Sequence, residues 1–125
     1  MSVISEYISH VKEIIESLPH VLSEKLIADN RGDVVLYLKG EIVFTNHSEL
    51  HFKEYFISVP DFKKLAYSYH YQDVVKELIF RHDNAEHHPE LENFPHHKHV
   101  KDKTLSSKEL SLEEVLETII DQISS

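Results

Sequence analysis

The sequence predicts an α+β fold, an antiparallel sheet of about five strands with an N-terminal and a C-terminal helix. Apolar residues recur at helical spacing at both ends of the chain, and residues in the middle alternate with a period of two. With only 2 Gly and 4 Pro, nothing in the composition marks a linker between these parts. The 125 residues match the ~100–150 that one hydrophobic core organises, so residues 1–125 are expected to form a single domain.

The first element is a helix. Val3, Ile4, Tyr7, Ile8, Val11, Ile14, Ile15 and Leu18 step by three and four and make one apolar stripe. Pro19 ends it, because its ring disfavours helical backbone in the residue before it. Residues 21–28 are a weaker strand candidate. Val34 to Leu38 and Ile42 to Phe44 are short β-branched or aromatic runs, and Asn46, His47 and Ser48 read as a turn. Over residues 49–57, Leu50, Phe52 and Phe56 point one way and His51, Lys53 and Tyr55 the other. Glu54 falls on the apolar side, where a carboxylate needs a cation, and Arg81 is the best candidate.

Residues 65–71 and 77–83 are two further strands joined at Asp73 to Lys76. With Gln72 opposite Glu77, Ser68 and His70 share a sheet face with Ile79, Arg81 and Asp83. Tyr67, Tyr69 and Tyr71 then lie on the other face with Leu78 and Phe80. Residues 84–106 show no period and hold Pro89 and Pro95; so long a loop is disordered or functional. Leu112, Val115, Leu116, Ile119, Ile120 and Ile123 form the closing helix. Ser111 and Glu114 make its capping box, and Leu110 and Val115 the accompanying staple.

Composition removes several chemistries. With no Cys, disulfides, thiol nucleophiles, iron–sulfur clusters and Cys-based zinc sites are excluded. No Gly-rich phosphate loop and no Gly-x-Ser-x-Gly elbow is present, which disfavours nucleotide-dependent transfer and serine hydrolysis. No apolar run reaches the ~18 residues of a membrane span and no signal peptide is visible, so the expectation is a cytoplasmic protein without membrane contact. The net charge of −9 argues against indiscriminate nucleic-acid binding. Residues 96–108 are the exception, with Lys98, Lys101, Lys103 and Lys108 against Asp102.

The chain holds 11 His, and His82, His87, His88, His96, His97 and His99 are packed into RHDNAEHHPELENFPHHKHV, residues 81–100. Two chemistries suit that density. Metal-independent RNA cleavage needs a base for the 2′-hydroxyl proton, an acid for the leaving oxygen and cations around the phosphate. Imidazole serves as both near neutral pH, while Arg81 and Lys98 supply charge. If residues 97–99 are extended, His97 and His99 share a face and form the acid–base pair, with Lys98 opposite. The second chemistry is a divalent transition metal on neutral imidazoles with Asp83, although the spacing matches no strong metal motif. Its candidate ligands are His87, His88, His96, His97, His99 and Asp83.

YSYHYQ (67–72), ELIFRHDNAEHHPELENFPHHKHV (77–100) and SELHFKEYF (48–56) together resemble the TumE-type toxin family of type II toxin–antitoxin pairs. The family pattern is Tyr-x-Tyr-x-Tyr-x, then Arg-Tyr-Asp-Asn-Ala-Pro-His-His, then Phe-Pro-His-His-x-His. The resemblance runs from about residue 40 to residue 125. It points to Glu54, His70, Arg81, Asp83, Asn84, His87, His88, His96, His97 and His99. His82 stands where the family often has Tyr, and Glu86 where it often has Pro. The resemblance implies an antitoxin partner, usually a helix-turn-helix protein.

Residues and resemblance together lead to a toxin that acts on RNA as a metal-independent ribonuclease. His70, Arg81, Asp83, His97, His99 and Glu54 are its expected catalytic residues. Lys98, Asn84 and Lys101 are its expected substrate contacts. No cofactor is favoured, and a homo-oligomer is compatible with the sequence. The alternative is a non-catalytic His-rich module that binds metal or regulates a partner.

Overall fold

A computed structural model describes residues 2–86 and 93–125. Helix α1 spans Val3–Ser17 and helix α2 Leu112–Ser124. Between them run β1 (Val21–Arg31), β2 (Val35–Phe44), β3 (Glu49–Ile57), β4 (Lys63–Gln72), β5 (Leu78–Asp83), β6 (His97–Val100) and β7 (Lys103–Ser106). The strands form one antiparallel sheet in chain order, β1 to β7. Every strand is therefore hydrogen-bonded to its neighbour in sequence, and position along the chain becomes position across the sheet.

Among the described residues, seven strands replace the expected five or so. The additions are β6 and β7, inside the segment 84–106 that reads as a loop. Each is four residues long and mostly polar, too short to establish an alternation. The two runs expected at 34–38 and 42–44 are one continuous strand, β2. Gly40 joins them because the Phe52 ring, on the facing residue of β3, lies against its Cα. A Cβ at position 40 would run into that ring.

Both helices start at a serine. Ser2 Oγ accepts from Ser5 N at 3.0 Å in α1, and Ser111 and Glu114 form the reciprocal capping box in α2. α1 stops at Ser17, with Leu18 already extended ahead of Pro19. Ile4, Val11 and Ile15 of α1 and Leu112, Val115, Leu116 and Ile119 of α2 join one buried cluster with Leu36, Leu38, Ile42, Leu50, Phe52 and Tyr69. Burying each Leu or Ile stabilises by ~1.5–3 kcal/mol. Among the described residues, one sheet face is thus covered by helices and the other is open.

The β4–β5 hairpin differs in register from expectation. Gln72 pairs with Leu78 across a bulge, and Ser68, Tyr69 and His70 pair with Asp83, His82 and Arg81. The pairing is displaced by two residues in all, an even shift, so the faces are unchanged. Tyr67, Tyr69 and Tyr71 enter the core at 4%, 0% and 2% exposure. His70, Arg81 and Asp83 lie on the open face.

Candidate functional site

Two adjacent rows of side chains cross the open face. One holds Lys39, Lys53, Ser68, Asp83 and His97; the next holds Glu41, His51, His70, Arg81 and His99. They arise because a strand returns to the same face every second residue and β6 pairs Asp83 with His97 and Arg81 with His99. His70, Arg81, Asp83, His97 and His99 therefore meet on three neighbouring strands, which fix their Cα positions far better than a loop would.

Asp83 is the centre of this group and is 4% exposed. Its Oδ1 accepts from Ala85 N at 3.0 Å and lies 2.8 Å from His97 Nε2. Its Oδ2 accepts from Arg81 Nε at 3.1 Å and lies 3.3 Å from His99 Nε2. His97 is 2% exposed, and its Nδ1 donates to the Pro95 carbonyl at 2.8 Å, since a carbonyl oxygen only accepts. His99 Nδ1 is 3.3 Å from Thr104 Oγ1. The two rings stand edge to face with centroids 4.7 Å apart. Both imidazoles thus turn Nε2 toward one carboxylate while Nδ1 is held from behind.

His70 sits one strand away. Its Nδ1 is 3.5 Å from Arg81 Nη1 and its Nε2 is 3.1 Å from Gln72 Oε1. Burial lowers its pKa below the ordinary imidazole value, opposed by the Gln72 hydrogen bond and assisted by the charges of Arg81 and His51. A neutral His70 beside a guanidinium suits proton abstraction near a bound anion.

Other predicted site residues stand apart from this group. Glu54 lies on the helix-covered face, 2% exposed. Its partners are Tyr7 Oη and Tyr69 Oη, each at 2.5 Å, and Lys64 Nζ at 3.8 Å. Its cation is Lys64, not Arg81. Burial and the Glu54 charge push both phenols above their ordinary pKa, so they stay neutral donors to the carboxylate. Lys98 points to the face opposite His97 and His99, with Nζ 5.9 Å from the Phe80 ring centre. Asn84 pins β4, accepting from Tyr67 N at 3.0 Å and donating to the Leu65 carbonyl at 2.9 Å. Lys101 is exposed in the β6–β7 turn at φ 53°. His96 stacks on Tyr67, with Nδ1 2.9 Å from its hydroxyl. His87 and His88 lie outside the described residues.

Sequence reasoning passed over three features. Tyr37 and Tyr55 stack on the open face, 4.8 Å apart and 3° from parallel, with the Arg31 guanidinium 5.0 Å above Tyr37. They line a cavity of about 550 Å³ together with Lys39, Lys53 and Ser68. A groove of about 370 Å³ continues past Lys39 and Lys53 to His51, His70 and Arg81. The alternation in 49–57 had set Lys53 and Tyr55 on one face; the β2–β3 register was needed to set Lys39 and Tyr37 beside them. His82 is the third, 8% exposed on the covered face, with its pKa lowered to about 4 by burial and the Lys98 charge. Among the described residues, no helix is long and apolar enough to cross a membrane.

Among known families, the model described as Toxin TumE matches residues 11–125. No curated protein and no solved structure matches the chain.

Proposed function

This chain belongs to the TumE toxin family, and on that premise we propose a toxin that cleaves RNA on the open face of its sheet, countered by an antitoxin partner of the helix-turn-helix kind. The observation that carries the reading is the convergence of His70, Arg81, Asp83 and His99 on three adjacent strands beside a groove lined by lysines. An RNA chain enters over Tyr37 and Tyr55, where unpaired bases stack, and its backbone follows Lys39 and Lys53. The stacked pair favours a single strand, because a duplex keeps its base faces covered.

At the scissile phosphate, Arg81 offers a planar fork of donors to the non-bridging oxygens. His70 takes the proton of the 2′-hydroxyl, and the freed oxygen bonds to phosphorus. The bond to the 5′-oxygen breaks, and that oxygen receives a proton from the Asp83–His99 end of the group. The products carry a 2′,3′-cyclic phosphate and a 5′-hydroxyl. His97, buried between the Pro95 carbonyl and Asp83, orients Asp83 and His99 and does not exchange protons with substrate. The earlier pairing of His97 with His99 as acid and base is therefore replaced by His70 with the Asp83–His99 end.

The test is direct. Purified protein is incubated with a labelled single-stranded RNA and its 2′-deoxy counterpart. Cleavage of the first alone, with cyclic phosphate ends, and its loss by ~10²–10⁴-fold in His70→Ala is expected. Equal cleavage of both substrates, or none of either, overturns the reading.

A further inference from the structure

We propose that Asp83, His97 and His99 form a binding site for one divalent first-row transition ion. The three donor atoms, Asp83 carboxylate and the Nε2 of each imidazole, lie within 4.8 Å of one another. The carboxylate oxygens are 2.8 and 3.3 Å from the two Nε2 atoms. Ligands that hold zinc at ~2.0–2.1 Å are themselves roughly 3 Å apart. The donors are therefore already gathered on one carboxylate, and an ion would draw them around itself in place of their present contacts.

The surroundings of the three residues match what a ligating set needs. A metal-bound imidazole almost always gives its second nitrogen to a carboxylate, a backbone carbonyl or a water, which fixes the ring and its tautomer. His97 Nδ1 is on the Pro95 carbonyl at 2.8 Å and His99 Nδ1 faces Thr104 Oγ1 at 3.3 Å. Asp83 is oriented by Ala85 N and Arg81 Nε, and each carboxylate oxygen has two lone pairs, so these contacts leave capacity for a metal. The residues come from paired strands and His97 is 2% exposed. Such rigidity is what a site of only three protein ligands depends on.

The donor set also chooses the ion. Two imidazoles and one carboxylate suit zinc, iron(II), cobalt or nickel, whereas magnesium and calcium prefer oxygen ligands throughout. Three protein ligands leave a position for water or a substrate oxygen, as in catalytic rather than structural zinc sites. An ion there would take up the Asp83 and His99 atoms that otherwise supply the leaving-group proton, and would act on the leaving oxygen as a Lewis acid in their place. As a binding site it does not depend on the RNA reading, and it is measured without RNA.

Metal-free protein is titrated with cobalt(II) and zinc(II), followed by the cobalt d–d absorption and by calorimetry. One equivalent should bind, with imidazole N–H protons shifted by the cobalt in proton NMR. His99→Gln and Asp83→Asn should each abolish the stoichiometric binding, and Thr104→Val should weaken it by ~10–100-fold. His47→Asn, in the exposed β2–β3 turn, should leave it unchanged and controls for the many surface imidazoles. His99 is partly exposed, so its variant is the safer one if Asp83→Asn fails to fold. The proposal is overturned if the folded wild type binds no stoichiometric ion, or if folded His99→Gln binds as well as wild type. Metal binding without RNA cleavage would leave this site standing and remove the ribonuclease reading; RNA cleavage without metal binding would do the reverse.

Discussion

Glu54→Gln tests whether the buried carboxylate is structural or catalytic. The substitution keeps volume and shape but removes the charge. Lys64 Nζ, 3.8 Å away with its side chain 9% exposed, then keeps among the described residues the Tyr69 hydroxyl and the Leu110 carbonyl, at 2.8 and 2.7 Å, and the Tyr67 ring, 4.9 Å to its centre. One of the two phenols that donate to Glu54 then meets an amide N–H and must turn to accept from it, so the main loss is the charge opposite Lys64. Removing one partner of a buried ion pair costs ~3–5 kcal/mol. The long Lys64–Glu54 separation sets this case at the lower end, about 3 kcal/mol, which is a large share of the ~5–15 kcal/mol of a whole domain. Urea denaturation followed by circular dichroism measures it. Adding Lys64→Met should restore part of the loss, because the orphaned ammonium goes with it. At a temperature where the variant stays folded, its RNA cleavage should equal that of wild type, since Glu54 lies on the other sheet face. A stability loss under ~1 kcal/mol would refute the buried-pair argument. An unchanged fold with a ~100-fold drop in cleavage would return Glu54 to the catalytic residues.

Further outcomes follow from the same geometry. His82, with its folded pKa lowered to about 4, favours the native state while neutral. Its contribution is complete above the unfolded value of ~6.5 and is lost as pH falls toward 4, by ~3 kcal/mol in all. Acid titration of stability should therefore be shallower in His82→Phe; identical curves would contradict this. Gly40→Ala forces the Phe52 ring aside and should cost ~1–3 kcal/mol in a denaturation experiment, with no loss meaning that the ring moves freely. Tyr55→Ala removes half of the stacked pair and should weaken single-stranded RNA binding by ~1–3 kcal/mol, seen as a raised KM with kcat kept. An unchanged KM would take the RNA path off this part of the sheet.

Both helices could be read from the sequence because their boundaries are written in local chemistry: Pro19 behind α1, and the Ser111–Glu114 capping box at the start of α2. The face of β3 was equally legible, since Leu50, Phe52, Glu54 and Phe56 alternate with polar residues. β6 and β7 were not, because four residues, three of them polar, carry no pattern and their pairing is a tertiary matter. That His70, Arg81 and Asp83 share one face, and His97 and His99 one face of their own run, followed from period-two parity, which survives the two-residue shift in the β4–β5 register; the pairing of β6 beside β5 that joins the two sets is a tertiary matter. Parity could not tell which cation meets Glu54. Lys64 reaches it from β4 beyond the bulge at Tyr55 and Phe56, a local irregularity that no alternation announces. Lys98 and Asn84 were suggestive by type and neighbourhood, yet Lys98 turns to the far side of β6 and Asn84 is used up by the backbone of β4.

The central claim is that the harm this toxin does is done on the open face, at His70 and Arg81. Growth of cells expressing Arg81→Ala or His70→Ala should be compared with wild type and with Glu54→Gln, at matched levels of folded protein and without the antitoxin. The account predicts that both open-face variants abolish growth arrest while Glu54→Gln, once its lower stability is matched by expression, arrests growth as wild type does. Growth arrest by Arg81→Ala and His70→Ala equal to wild type would contradict it.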